Sequence, residues 1–462
     1  MTQTAMTRTA ALAPTLQRLG DQLDGQLVLP GTAAYDESRT VWNAMVDRRP
    51  RAIVRPDGVH DVAAAVRAAR ELDLPLGVRG GGHGVLGLAV PDDGLMIDLR
   101  RMNTVHVDPA RRRAWVSGGA LLGALDRATQ PHGLGTTAGN VSHTGVGGLT
   151  LGGGMGWLAR QCGMACDNVV SFEVVTATGE IVTASATQHP DLYWGLRGGG
   201  GNFGVVTRFE FRLHQVGTRA LSAEWTFAPE DAARVLRDWR DINETAPRQA
   251  TFEASIDHDQ QVTIGYVWVG DIEQGTKLVP QLRSLGRATS ETVGELSYLD
   301  LQTRSDAPQG YDYRRYSKGH YLDELPNAAI DALVAAMAND PADGIRPDSV
   351  SLLSYGGAIA DTADDETAFS HRNAKFEYGA GVRWTDPTED DARMAAARRH
   401  AAYLDDFANG EYVNTMTETG GAGLKRAYSD RKLARLAAVK NTYDPDNAFR
   451  LNQNIAPKRR SA

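Results

Sequence analysis

Cysteine is nearly missing from this chain: 462 residues contain two, Cys162 and Cys166. A disulfide framework is excluded, and two thiols supply too few ligands for a metal centre, so both read as packing residues. No apolar run approaches the ~18 residues needed to cross a bilayer. The opening MTQTAMTRTAALAPTLQRLG is also too weakly apolar for a secretory signal, so a cytoplasmic protein with no membrane partner is expected. Positive charge is in deficit, with 49 Lys+Arg against 57 Asp+Glu and a net charge of -8. Without a basic stripe, nucleic acid is not an expected partner and small molecules are. HExxH and GxSxG are absent, which removes common zincin and serine-hydrolase signatures, and no metal site is expected.

Glycine, by contrast, is abundant and clustered, with 49 residues. Leu74–Ala89, LPLGVRGGGHGVLGLA, ends a short apolar run in Arg79, Gly80, Gly81, Gly82, His83 and Gly84. Consecutive residues without Cβ atoms let backbone N–H groups approach a bulky polar ligand, so the loop reads as a cofactor seat with His83 against its contents; the alternative is a flexible surface turn. A second cluster, Gly133–Gly156, places Gly145, Gly147, Gly148, Gly152, Gly153 and Gly154 among Ser142, Thr144 and Thr150, donors suited to phosphate and carbonyl oxygens. Its embedded Val141, Val146, Leu149 and Leu151 argue against a Gly/Ser linker. A third, WGLRGGGGNFG at Trp194–Gly204, runs into an alternating strand. Two clusters match G-x-G-x-x-G, but neither opens a helix, so a Rossmann arrangement is not expected.

The length predicts two domains. The patterning predicts a helix over Val41–Arg49, then a strand, a helix through Asp61–Leu72 capped by Asp57, and the strand Leu74–Arg79: a β-α-β unit with a parallel pair. A hairpin is expected over Val169–Ala184, turning at Thr178-Gly179. Beyond a boundary near Val216 the glycines thin out. Strands are expected at Ser222–Phe227, Thr251–Ile256, Gln261–Val269, Val350–Ile359 and Glu377–Trp384, with helices over Pro229–Asn243, Ile272–Leu285, Asn327–Met337 and Pro387–Phe407. The tail adds a helix, Asp430–Tyr443, and a polar segment with Asn447, Asn452, Gln453 and Asn454.

RGGGHG at Arg79–Gly84, VSHTGVGGLTLGGGMGWL at Val141–Leu158, RGGGGNFGVVT at Arg197–Thr207 and YDPDNAFRLNQNI at Tyr443–Ile455 occur in one order. In this the chain resembles the berberine bridge enzyme-like FAD-linked oxidases of the vanillyl-alcohol oxidase, or PCMH-type FAD-binding, superfamily. The resemblance implies an α+β, two-domain fold. Residues 1–215 and 426–462 would bind FAD, and an inserted substrate domain, 216–425, would carry an antiparallel sheet covered by helices. It implies FAD bonded through His83. The cysteine that forms a second link in many members falls at Val141, so no cysteinyl link is expected. It also places Gly118, Val206, Tyr443, Asn452 and Asn454 at the cofactor. The activity implied is oxidation of an alcohol, phenol-like compound or amine, with molecular oxygen reduced to H2O2, in secondary metabolism. Oxygen insertion, sugar oxidation and a flavin carrier without turnover are the alternatives.

The family's tyrosine base belongs to a YxNY motif, which here reads Tyr412-Val413-Asn414-Thr415, and threonine cannot serve. The resemblance instead directs Ser349–Gly356 at the flavin, where strand alternation puts Ser351, Leu353 and Tyr355 on one face. Ser351, Tyr355 and the neighbouring-strand Tyr378 are the catalytic candidates. For the two tyrosines the alternative is a buried strand residue with its hydroxyl paired. Tyr311, Tyr313, Tyr316, Lys318 and His320 form either part of the pocket or a solvated loop.

Overall fold

The computed structural model describes residues 3–307, 310–338 and 344–458. The N-terminal part builds a four-stranded sheet in the order Gln26–Val28, Ala52–Arg55, Leu95–Asp98, Leu76–Arg79. The outer strands of the β-α-β unit do not pair with each other; Leu95–Asp98 lies between them, parallel to both. Helix Val59–Glu71 begins after Gly58, and the expected cap is corrected. Asp57 turns away to pair with Arg101, while Asp61, in the first helical turn, accepts the backbone N–H groups of Asp24, Gly25 and Asp57 at 3.0, 2.9 and 2.9 Å.

A five-stranded antiparallel sheet follows, in the order Val105–Asp108, Arg113–Ser117, Val205–Arg212, Val169–Val175, Ile181–Ser185. The hairpin is as expected, with Gly179 at φ +78° in its turn. Neither G-x-G-x-x-G match opens a helix, since Gly87 runs into irregular chain and Gly204 leads directly into strand Val205–Arg212, whereas the second glycine stretch contains the short helix Val146–Leu151.

Residues 219–384 form a seven-stranded antiparallel sheet. Its order is Ser290–Ser297, Arg219–Phe227, Val262–Val269, Ala250–Asp257, Ser349–Ser354, Phe376–Trp384, Arg314–Leu322. One face packs its alternate residues, among them Phe252, Tyr266, Leu352 and Tyr378, with Trp239, Leu333 and Ala401 of helices Ala232–Thr245, Asn327–Ala338 and Asp390–Ala402. The other face brings Tyr321, Leu353 and Tyr355 against Met155, Phe369 and Tyr412. Two edge strands were not expected. Ser290–Ser297 is exposed on both faces and has no alternation to read, and RRYSKGHYL resembles a solvated loop because its charges find partners only in the folded chain.

Two expected helices fail. Over residues 41–49 the chain is irregular, and the local helix is Ala34–Arg39. Residues 272–285 break at Lys277-Leu278 into Ile272–Thr276 and Val279–Arg283, with Pro280, which has no N–H to donate back to residue 276, in the first turn of the second helix. Helix Asp430–Tyr443 is as expected, and Lys440, fully buried, donates to the carbonyls of Asn202 and Phe449 at 2.7 and 2.8 Å and to Asp444 at 2.6 Å. That knot ties the tail to the third glycine loop. Among the described residues no helix is long and apolar enough to cross a membrane, and no cluster of three metal-ligating side chains occurs.

Candidate active site

The glycine stretches converge on two adjoining cavities. One, of about 420 Å³, is lined by Gly80, Gly81, Gly82, His83, Gly84, Thr144, Gly145, Gly148, Met155, Tyr412, Asn414, Asn452 and Gln453. The other, of about 230 Å³, is lined by Gly80, Gly118, Gly147, Gly148, Gly199, Gly200, Gly201, Val206, Asn452 and Gln453. They meet at Gly80, Gly148, Asn452 and Gln453, making one elongated seat. A Cβ on Gly148 or Gly201 would meet no atom within 4 Å, so a ligand can approach bare backbone there. At Gly81 the constraint is the fold itself, since a Cβ would stand 2.3 Å from the Gly145 nitrogen. The Oδ1 of Asn452 and the Oε1 of Gln453 are buried without a partner among the described residues, whereas Asn454, expected at the cofactor, lines neither cavity. Native structures rarely leave such atoms unpaired, so they mark where a long polar ligand supplies donors. The bare backbone and the unpartnered acceptors of this seat fit FAD.

His83 forms part of the wall. Its ring stacks on Trp42, with centroids 4.8 Å apart and an interplanar angle of 16°. Trp42 is held in turn by its N–H to the Gly82 carbonyl at 3.0 Å and by the Arg315 guanidinium 3.9 Å above its ring. The His83 Nε2 lies 2.7 Å from His143 Nδ1, and its Nδ1 lies 3.3 Å from Thr144 Oγ1. Burial, reinforced by His143 and Arg315, pushes the His83 pKa down to about 3, so the imidazole is neutral at neutral pH.

Several residues expected at the cofactor stand elsewhere. Arg79 is buried behind the loop, donating to the Ser38 carbonyl at 2.6 Å, and does not line the seat. Val141 does not line it either, and Ser142 turns its N–H and hydroxyl to Asp306 at 2.8 and 2.6 Å. Tyr443 pairs with His189 at 3.0 Å, away from the cavities. Gly152, Gly153 and Gly154 lie against Asn414, Phe369 and Ala165, and the Gly154 N–H donates to Tyr412 Oη at 2.8 Å. They shape the wall without lining it. Tyr311 meets Trp42 edge-on, Lys318 pairs with Glu411, and none of Tyr311, Tyr313, Tyr316, Lys318 or His320 lines the seat. Trp42 and His143 escaped the sequence reading. The signal was available only in part: His143 sits inside the second glycine cluster, whereas Trp42 lay in a segment read as helix.

On the facing sheet, Tyr355 is buried and its hydroxyl donates to Glu377 Oε2 at 2.6 Å. Burial pushes the Glu377 pKa up to about 7, and burial together with Glu377 raises that of Tyr355 well above the usual phenol value. Tyr321 stands edge-on to Tyr355 at 5.2 Å with its hydroxyl buried and unpartnered among the described residues, and Tyr412 is 6.1 Å from Tyr321. Tyr378 is corrected: it faces the helices, donating to the His400 carbonyl at 3.1 Å, and its neighbour Glu377 holds the face assigned to it. Ser351 shares the Tyr355 face but is exposed. Thr415 donates to the Tyr412 carbonyl at 3.1 Å. Burial pushes the Cys162 thiol up to about 12 and Cys166 higher still, so neither is a thiolate.

Comparison with known proteins agrees with this geometry. The family model for an FAD binding domain matches residues 50–185, and that for berberine and berberine-like proteins matches residues 411–456. An uncharacterised FAD-linked oxidoreductase of Bacillus subtilis is 30% identical, over 95% of this chain and 98% of its own. The (R)-6-hydroxynicotine oxidase of Paenarthrobacter nicotinovorans is 31% identical, over 94% and 97%. The crystal structure of 6-hydroxy-D-nicotine oxidase from Arthrobacter nicotinovorans superposes with a TM-score of 0.86 at 28% identity, covering 95% of this chain and 99% of that one. With its glycine seat, its facing sheet and relatives of this extent, the chain belongs to the berberine bridge enzyme-like FAD-linked oxidases of the PCMH-type superfamily and is an FAD-dependent oxidoreductase.

Proposed function

We propose that this enzyme is an oxidase acting on a small organic alcohol, phenol-like compound or amine, with FAD held covalently through His83 and no cysteinyl bond, Val141 standing at the cysteine's position. Residues 1–215 and 426–462 make the flavin-binding unit, and 216–425 present the substrate. FAD, when bound, would supply a two-electron acceptor for the substrate C–H bond, with O2 as the final oxidant and H2O2 as its product. The chain's own residues hold the cofactor and handle the proton. Gly80, Gly118, Gly148 and Val206 give close approach, Asn452 and Gln453 offer carbonyl acceptors, and the neutral His83 ring keeps a nitrogen lone pair available for a covalent bond.

The single observation that carries the reading is the 2.6 Å bond between Tyr355 and Glu377, which do not themselves line the cavities but lie on the sheet face that packs against Met155 and Tyr412 of the seat wall. A substrate hydroxyl passes its proton to Tyr355 Oη as the phenol proton moves to Glu377 Oε2. With Glu377 at about 7, a substantial fraction is ionised and able to receive it near neutral pH. The relay supplies the base that Thr415 cannot. Beside the Tyr321, Glu377 and Leu353 row, the register aligns Gly319, Gly379, Ser351 and Ser255 across four strands, and these small side chains leave room for the body of a substrate. An amine substrate is a second reading, favoured by the same carboxyl as a partner for its cation and by the likeness to 6-hydroxynicotine oxidase.

Anaerobic addition of candidate alcohols and amines should bleach the flavin, and air should restore it with one H2O2 per substrate oxidised. Label from O2 in the product would replace oxidation with oxygen insertion. A flavin that no candidate bleaches would point to a carrier without turnover.

A further inference from the structure

We infer that His143 positions His83 and accepts its proton when the flavin becomes attached. The inference rests on the histidyl attachment proposed above. His143 does not line the seat; it stands behind His83, with its Nδ1 2.7 Å from the His83 Nε2. A neutral imidazole carries one ring proton, and a nitrogen attacks carbon only through its lone pair. Since Nε2 is engaged by His143, Nδ1 is the nitrogen left for the flavin, with Thr144 Oγ1 at 3.3 Å its neighbour at hydrogen-bond range among the described residues. Nδ1 is nucleophilic only while the proton resides on Nε2, where it is donated to His143 Nδ1.

In the attachment step the bond from Nδ1 to the flavin 8α carbon forms and a C–H bond of that methyl breaks, its proton leaving to solvent. Two electrons stay on the flavin and are later taken by O2, giving H2O2. The His83 ring, which would otherwise be left as a cation, passes its Nε2 proton to His143 Nδ1. Asp306, bonded to the adjacent Ser142, favours the cation that His143 then carries, whereas Arg315 and burial oppose it. The proton is therefore held transiently and released. Trp42, clamped between Arg315 and the His83 ring, keeps the imidazole plane fixed throughout.

The test compares His143→Leu, His143→Gln and His143→Asn with wild type, each incubated with excess FAD in air. Total bound flavin and the fraction retained after acid precipitation are followed over time. In wild type nearly all flavin becomes acid-stable. His143→Leu, and His143→Gln with its acceptor displaced toward the Nε2 position, should bind FAD as wild type does but attach it at least tenfold more slowly. His143→Asn, whose Oδ1 can take the Nε2–H hydrogen bond but is too weak a base to accept the proton, should hold the His83 ring yet still attach flavin at least tenfold more slowly than wild type. Wild-type attachment rates in the Leu and Gln variants would overturn the role of His143 alone, whereas wild-type protein that releases all its flavin would remove the histidyl attachment itself. A wild-type attachment rate in His143→Asn would overturn the proton-accepting role, because a hydrogen-bond acceptor alone would then suffice.

Discussion

Gly148 lies in the short helix Val146–Leu151 and faces open cavity, so its two duties can be separated by one methyl group. Gly148→Ala should leave the apoprotein as stable or up to about 1 kcal/mol more stable, through helix propensity. The same methyl enters the cofactor's space, and FAD affinity should fall at least tenfold, read by fluorescence titration. Gly81→Ala should instead prevent folding, because its Cβ would meet backbone at 2.3 Å that has nowhere to move. On the facing sheet, Tyr355→Phe and Glu377→Gln should each lower kcat about 100-fold while leaving flavin content unchanged. Retention of wild-type kcat by both would remove the relay. At this scale His83, the glycines and Asn452 were legible because bare backbone beside a histidine has few structural uses. Glu377 was not, since a shift of one residue along a strand exchanges its two faces, and Tyr378 drew the attention due to its neighbour.

Between elements, the buried carboxyl of Asp126 on helix Leu122–Thr129 accepts from Gln302 Nε2 of helix Tyr298–Thr303 at 3.0 Å. Burial raises the Asp126 pKa from 3.8 to about 7, with the Gln302 bond opposing. Between those values the native chain holds a proton that the unfolded chain has lost, so this group makes stability fall as pH rises from about 4 to 7. Asp126→Asn keeps the acceptor and removes the titration. Its stability relative to wild type should be unchanged below pH 4 and higher above pH 7, by at most roughly 4 kcal/mol in urea unfolding. A difference independent of pH would contradict the assignment. Elements with strong internal patterns, such as Val59–Glu71 and Asp430–Tyr443, were legible. Edge strands Ser290–Ser297 and Arg314–Leu322 were not, because their partners lie far away in sequence: Arg315 takes its place over Trp42, which sequence alone does not reveal.

Across the whole molecule the tail closes what the N-terminal part begins. Lys440 and Asp444, both fully buried, hold the chain so that Asn452 and Gln453 reach the seat opposite Gly80. Lys440→Ala leaves the Asp444 carboxylate buried without its cation and should cost about 3 to 5 kcal/mol, together with most of the FAD affinity. The order of the glycine clusters made the family legible, but their convergence on one seat is a property of folded space. The most direct test is mass analysis of peptides from acid-precipitated, purified protein. The account predicts a yellow precipitate in which a single peptide, the one containing His83, carries the added mass of FAD. A colourless precipitate with all flavin released, or the added mass on a different peptide, would contradict it.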